Sequence, residues 1–191
     1  WVQGSFTPDK IDYSVITHVI HSFAWPDEEG NILHYDNMLS QSVTNTVHDN
    51  GAKILLSLGG WGQSWGFSAS MSTPELREIF IDNIISICET YNYDGVDIDW
   101  EQPTNVTEKN NLTTFITELR QAFDDLYPDW IISMAVPVSN WSGQYYDFNQ
   151  LKESVDFFNA MTYDIHGSWT DHAGHNSPLY RSPPGDPDGS V

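Results

Sequence analysis

The sequence predicts an α/β fold, an incomplete (β/α)8 barrel with about strands two to six of the eight present. Three observations carry that reading. Short β-branched apolar runs alternate with helix-period segments along the chain. Each run ends in polar or aromatic residues, so several strand ends feed one site. Five such units in 191 residues fall short of the eight strands and ~250 residues of a closed barrel. Alternation by itself also fits an open doubly wound sheet, and the strand-end residues favour the barrel.

The first run is residues 16–23 (ITHVIHSF), leading to Trp25. A helix over residues 37–49 follows and stops at Asn50-Gly51, a common helix terminator. Residues 53–58 (KILLSL) form the next strand and run into Gly59-Gly60-Trp61. The helix over 73–91 has Ser72 or Thr73 as N-cap, Pro74 in its first turn and Glu75 close behind. Residues 95–100 (GVDIDW) lead to Glu101. The helix over 108–126 then lines up Leu112, Phe115, Ile116, Leu119 and Phe123 on one apolar face. Residues 130–136 (WIISMAV) precede Pro137 and Asn140, and a short helical piece near 148–154 precedes the strand 156–161 (DFFNAM) and Tyr163-Asp164. Residues 182–191 (SPPGDPDGSV) read as a loop cut short, so that 181–191 close a single partial domain spanning 1–191 and lacking the first strand and the last two. With edges at 16–23 and 156–161 left unpaired, residues 1–191 alone are expected to fold poorly and to be inactive.

Seven Lys and Arg against 27 Asp and Glu give a formal charge of −20, which repels nucleic acid and anionic membrane surfaces and leaves a neutral ligand unpenalised. Eight Trp and 39% hydrophobic residues argue against disorder, because burying them offsets the ordering entropy. The single cysteine, Cys88, sits in an apolar helical run and reads as a buried structural thiol. No stretch approaches the ~18 apolar residues of a membrane span. Three glycosylation sequons, at Asn105, Asn111 and Asn140, point to a secreted glycoprotein.

The segment from Asp94 to Glu101 (DGVDIDWE) carries the chemistry. Side chains alternate along a strand, so Asp97, Asp99 and Glu101 share one face while Asp94 points to the other with Val96, Ile98 and Trp100. Carboxylates ~7 Å apart on one barrel-facing surface cannot all ionise cheaply, and a raised pKa is what a general acid working near neutral pH needs. A calcium site needs turn geometry that a strictly alternating strand does not supply.

This segment matches the Asp-x-x-Asp-x-Asp-x-Glu signature of the family 18 glycoside hydrolases at every fixed position. Ser57-Leu58-Gly59-Gly60-Trp61 resembles the family's Ser-x-Gly-Gly motif, Met161-Thr162-Tyr163-Asp164 resembles its Met-x-Tyr-Asp motif, and residues 166–180 are similar to the loop that follows. The resemblance spans nearly the whole chain. It implies a chitinase, endo action favoured with exo action left open, monomeric, secreted and without cofactor or metal, whose partner is chitin or N-acetylglucosamine oligosaccharides. It further implies retention with the substrate's acetamido group as nucleophile, although a ~7 Å carboxylate spacing alone points to inversion. On that basis Glu101 is the acid, Asp99 orients the acetamide, Asp97 shares a proton with Asp99, and Tyr163 binds the acetamido carbonyl. Asp164 contacts the sugar near the cleavage point, while Ser57, Gly59, Gly60 and Asp94 support the site. Trp61, Trp141 and, because it flanks the acid, Trp100 are candidate sugar platforms, with Met161 a further candidate contact. The same resemblance admits a non-catalytic chitinase-like lectin or an endo-β-N-acetylglucosaminidase acting on N-glycans; the intact Glu101 favours a hydrolase.

Each remaining residue has a plainer reading. His18 and His21 fit satisfied core histidines, and Met134 and Met161 fit residues lining the barrel. His166, His172 and His175, six and three apart in a loop, match no standard zinc spacing. Aromatic rings suit flat sugar faces, yet most aromatics in a domain are packing residues, so Trp25, Trp65 and Trp169 fit either a sugar platform or ordinary core.

Overall fold

A computed structural model describes residues 7–180. They form six strands, β1 (His18–Pro26), β2 (Ile32–His34), β3 (Lys53–Gly59), β4 (Gly95–Asp99), β5 (Ile131–Val136) and β6 (Phe157–Ala160), in one sheet of order β2-β1-β3-β4-β5-β6. Between them lie α1 (Gln41–Asp49), α2 (Phe67–Ser70), α3 (Pro74–Tyr91), α4 (Val106–Leu126), α5 (Asn140–Gly143) and α6 (Phe148–Leu151). Neighbours from β1 through β3 to β6 are parallel, while β2 turns back antiparallel on the last residues of β1.

Helix ends follow local hydrogen-bond demand. Thr73 Oγ1 accepts from the Leu76 amide at 3.3 Å, Pro74 opens α3, and Asn92 ends it in the left-handed region at φ 60°. Helix α4 starts two residues before the expected Glu108, because Asn105 Oδ1 takes the Glu108 amide at 3.0 Å. Helix α1 starts at Gln41, later than the expected 37, where Ser40 caps it. Strand β2 is not expected from the sequence, since three residues carry no measurable alternation. The Asp27 carboxylate makes it possible by accepting the Glu29 and Asn31 amides and tightening the turn. The predicted loop 182–191 lies outside the described residues.

The outer face of the sheet, with Ile54, Leu56, Leu58, Val96, Ile98 and Ile132, packs on Phe80, Ile84, Cys88, Phe115, Leu119 and Phe123 of α3 and α4. Met134 belongs to this layer, almost fully buried, so its expected place lining the barrel is corrected: it shares the strand face of Ile132, not that of Ser133. Arg77 on α3 grips Glu118 on α4 with two bonds of 2.7 and 3.0 Å. The sheet is rolled. His18 on β1 and Phe157 on β6 are four strand positions apart, about 19 Å in a flat sheet, yet their ring centroids lie 5.5 Å apart. Among the described residues no helix is long and apolar enough to cross a membrane.

The strand starts are tied by two matching aspartates. Asp94 donates its amide to the Ile54 carbonyl at 2.9 Å, accepts the Ile54 amide on Oδ2 at 2.8 Å, and meets His48 Nε2 at 2.7 Å. Asp156, before β6, treats Ile132 the same way, at 2.9 and 2.8 Å, with Arg120 Nη1 3.5 Å from the same oxygen.

Candidate active site

The inner face of β4 begins with Asp97, only 3% exposed. Three neutral donors converge on it: Ser57 Oγ on Oδ2 at 2.8 Å, and Ser133 Oγ and Asn159 Nδ2 on Oδ1 at 2.6 and 2.9 Å. The pairing Ser57–Asp97–Ser133 lies level across β3, β4 and β5, and Asn159 arrives from β6. Ser57 is anticipated by the sequence. Ser133 and Asn159 are not, although each is a small polar residue on the inward parity of its strand, a signal that only the register makes legible.

Asp99, two residues on, is treated differently. It is 7% exposed, and its Oδ1 is buried with no hydrogen-bond partner among the described residues. Burial, with the charges of Glu101 and Asp97 added, pushes this carboxyl up to about 7. Glu101 is half-buried, and its pKa is raised by burial and then by Asp164. The Tyr163 phenol is raised chiefly by burial and then by Asp99, Glu101, Asp164 and Asp97, which puts it in the field of all four carboxylates. Asp164 takes a left-handed backbone, φ 55°, and its Oδ1 accepts Asn176 Nδ2 at 2.9 Å. Met161 is half-buried just past β6, its amide bonded to the Val136 carbonyl at 2.9 Å.

The two glycines are demanded by space as well as by backbone angle. Gly59 sits at φ 113°, and a Cβ there would stand 2.1 Å from the Asp99 carbonyl oxygen. At Gly60, φ 85°, a Cβ would meet the Phe23 ring at 2.8 Å. The Gly60 amide is thereby free to donate to the Asp99 carbonyl at 2.8 Å.

Trp61, on the loop that follows β3, and Trp141, on the short helix α5 that follows β5, stand 85% and 77% exposed at the strand ends that carry Glu101. Trp100 does not join them. It is 5% exposed and stacks on Phe67 with centroids 5.6 Å apart, so its expected role as a sugar contact is corrected to packing. The alternation that puts Glu101 inward puts Trp100 outward. Asp94 lies at the opposite end of β4, in the clamp already described. Two residues absent from the sequence reading complete the site. Tyr146, buried, donates its hydroxyl to the Trp100 carbonyl at 2.7 Å, and Ser64 Oγ accepts the Glu101 amide at 3.0 Å. Nothing in their sequence neighbourhood marks either. Among the described residues no group of three His, Cys, Asp or Glu is gathered that could hold a metal, and His166 Nδ1 pairs with the His175 carbonyl.

A buried, charge-crowded row of carboxyls at the C-terminal end of parallel strands agrees with what comparison with known proteins finds. The sequence matches the profile of Glycosyl hydrolases family 18 across residues 1–191. The chain belongs to this family. Chitotriosidase-1 of Mus musculus is 32% identical over 194 residues, covering 92% of this chain and 41% of the mouse protein. Among solved structures, the Ostrinia furnacalis Group IV chitinase in complex with allosamidin superposes with a TM-score of 0.87 at 31% identity, over 95% of this chain and 52% of that one. A mutant of catalytic domain 2 of the Group II chitinase from the same organism, in complex with (NAG)5, gives 0.86 at 30% identity over 96% and 52%. The rolled sheet is therefore part of a family 18 TIM barrel, and the chain spans between 41% and 52% of the length of these relatives.

Proposed function

We propose that this domain hydrolyses β-1,4 linkages between N-acetylglucosamine units of chitin, cutting within the chain and retaining the anomeric configuration. The observation that supports it most is the contrast on β4: Asp97 held by three donors, and Asp99 beside it pushed up to about 7 with one buried oxygen unpartnered among the described residues.

In this reading Glu101 gives its proton to the glycosidic oxygen as the bond to C1 breaks. The acetamido carbonyl oxygen of the same sugar closes on C1 from the opposite face, forming an oxazolinium ion. Asp99 accepts the acetamide N–H and balances the positive charge, with its proton shared with Asp97 in the resting site. Tyr163 donates to the acetamido oxygen, and Asp164 contacts the sugar beside the cleaved bond. Water, deprotonated by Glu101, then opens the ring from the first face and restores configuration. Trp61 and Trp141 offer flat exposed rings for neighbouring sugars. The relatives crystallised with (NAG)5 and allosamidin support an oligosaccharide ligand. Secretion fits the sequons, of which Asn105 and Asn140 are exposed.

The test is hydrolysis of soluble N-acetylglucosamine oligomers by the full-length protein and its Glu101→Gln variant, with product anomers followed by NMR. Initial β-anomer, lost in the variant by a factor of about 10² to 10⁴, is expected. Initial α-anomer would refute retention, and tight binding without cleavage by the unmodified protein would make it a lectin.

A further inference from the structure

Strand β4 ends at Asp99, so the sheet ladder no longer holds the main chain that carries Glu101. Main-chain groups left there without partners would let the tip drift, and a shift of ~1 Å in a reacting group costs on the order of 10²-fold in rate. Three successive residues are nevertheless held. The Gly60 amide donates to the Asp99 carbonyl at 2.8 Å, the Tyr146 hydroxyl to the Trp100 carbonyl at 2.7 Å, and the Glu101 amide to Ser64 Oγ at 3.0 Å. The Ser64 hydroxyl in turn lies 3.2 Å from the Gly60 carbonyl and 3.4 Å from that of Asp99, so its one proton closes the loop back onto β3 or β4.

We infer that Ser64 and Tyr146 are positioning residues that replace the missing ladder and fix the Glu101 carboxyl for proton transfer. The inference rests on Glu101 being the acid. Both hydroxyls come from the loops after β3 and β5, the strands flanking β4, so the tip is gripped from both sides. Neither group acts on substrate: Tyr146 is buried with its oxygen on a main-chain carbonyl, and Ser64 is half-buried against main chain. Their removal should therefore alter turnover and leave ground-state binding intact.

The experiment uses the full-length protein with Ser64→Ala, Ser64→Thr and Tyr146→Phe, assayed on a soluble N-acetylglucosamine oligomer. Oligomer affinity is measured for each substitution in a Glu101→Gln background, which reports an intact cleft without turnover. For Ser64→Ala and Tyr146→Phe, kcat is expected to fall about 10- to 100-fold, with KM and affinity within about threefold. Ser64→Thr, which keeps a hydroxyl, should recover most of the loss. If Glu101→Gln itself retains turnover, the acid is misassigned and this inference falls with it. If Glu101→Gln is inactive while both hydroxyl deletions keep full kcat, the inference alone is overturned. A loss of affinity parallel to the loss of kcat, or a threonine variant as poor as alanine, would overturn it too, because the residues would then be structural.

Discussion

The two ends of β4 spend the same side chain on opposite tasks. At its start, Asp94 accepts a backbone amide and meets His48, and Asp156 repeats the arrangement before β6 with Arg120 in place of the histidine. Each negative charge there has a donor on the neighbouring strand and a basic side chain beside it. At its finish, Asp97, Asp99 and Glu101 gather with Asp164 and Tyr163, and the hydrogen bonds to Asp97 come from neutral groups. Carboxylates at the first end hold strands in register. Of those at the second, Asp99 and Glu101 are kept crowded at a cost in stability, because a raised carboxyl pKa means the charged form is disfavoured in the fold. In a parallel barrel the division matches the separation of a stability face from a reaction face.

The comparison can be broken most forcefully at Asp99. In the full-length protein, Asp99→Asn is expected to lower kcat by about 10²-fold or more while making the fold more stable at alkaline pH. Asp99 keeps its proton to about pH 7 when folded, and to about pH 4 when unfolded. Between those values the native state binds the extra proton, so stability falls as pH rises through the window. Urea titrations at pH 4 and pH 8 should show the variant matching the parent at the first and exceeding it at the second. Equal stability at both would mean that Asp99 is not strained.

Asp94→Ala should do the reverse. It leaves the Ile54 amide without its acceptor and is expected to cost about 1–3 kcal/mol of unfolding free energy in a urea titration, with kcat unchanged at a permissive temperature. A drop in kcat would show that the ends are coupled. Trp61→Ala is expected to raise KM for chito-oligomers about tenfold, a loss of ~1.4 kcal/mol, and to spare kcat on short ones. The smallest effect is assigned to Asp164→Asn. Removing a charge that raises the Glu101 pKa should move the alkaline limb of the kcat/KM profile to lower pH. An unmoved limb would leave burial as the only cause of the raised value.

What could be read in advance was whatever is local or periodic. The alternation DGVDIDWE puts three carboxyls on one face without any knowledge of the fold, and Thr73-Pro74 announces α3. Strand β2 stayed hidden because three residues are too few to show a period. Ser133 and Asn159 stayed hidden for a different reason: they meet Asp97 from 36 and 62 residues away, and a lone serine or asparagine carries no sign of its partner. Trp100 was misplaced although the alternation already turned it outward, because proximity in sequence to the acid outweighed parity. Tyr146, 46 residues from the carbonyl it holds, belongs with the hidden contacts.

The 2.1 Å separation at Gly59 has its own consequence for how this protein can change. Nothing larger than hydrogen fits between the end of β3 and the carbonyl of Asp99, so the smallest possible substitution must push β3 and β4 apart at the point where the acid is carried. In a saturation library selected for turnover, position 59 should return glycine alone, while the exposed ring at position 61 two residues later accepts many replacements. A molecule of this kind can alter which polymer it grips by changing its rim, and keeps the spacing of its reacting groups by a side chain it never acquires.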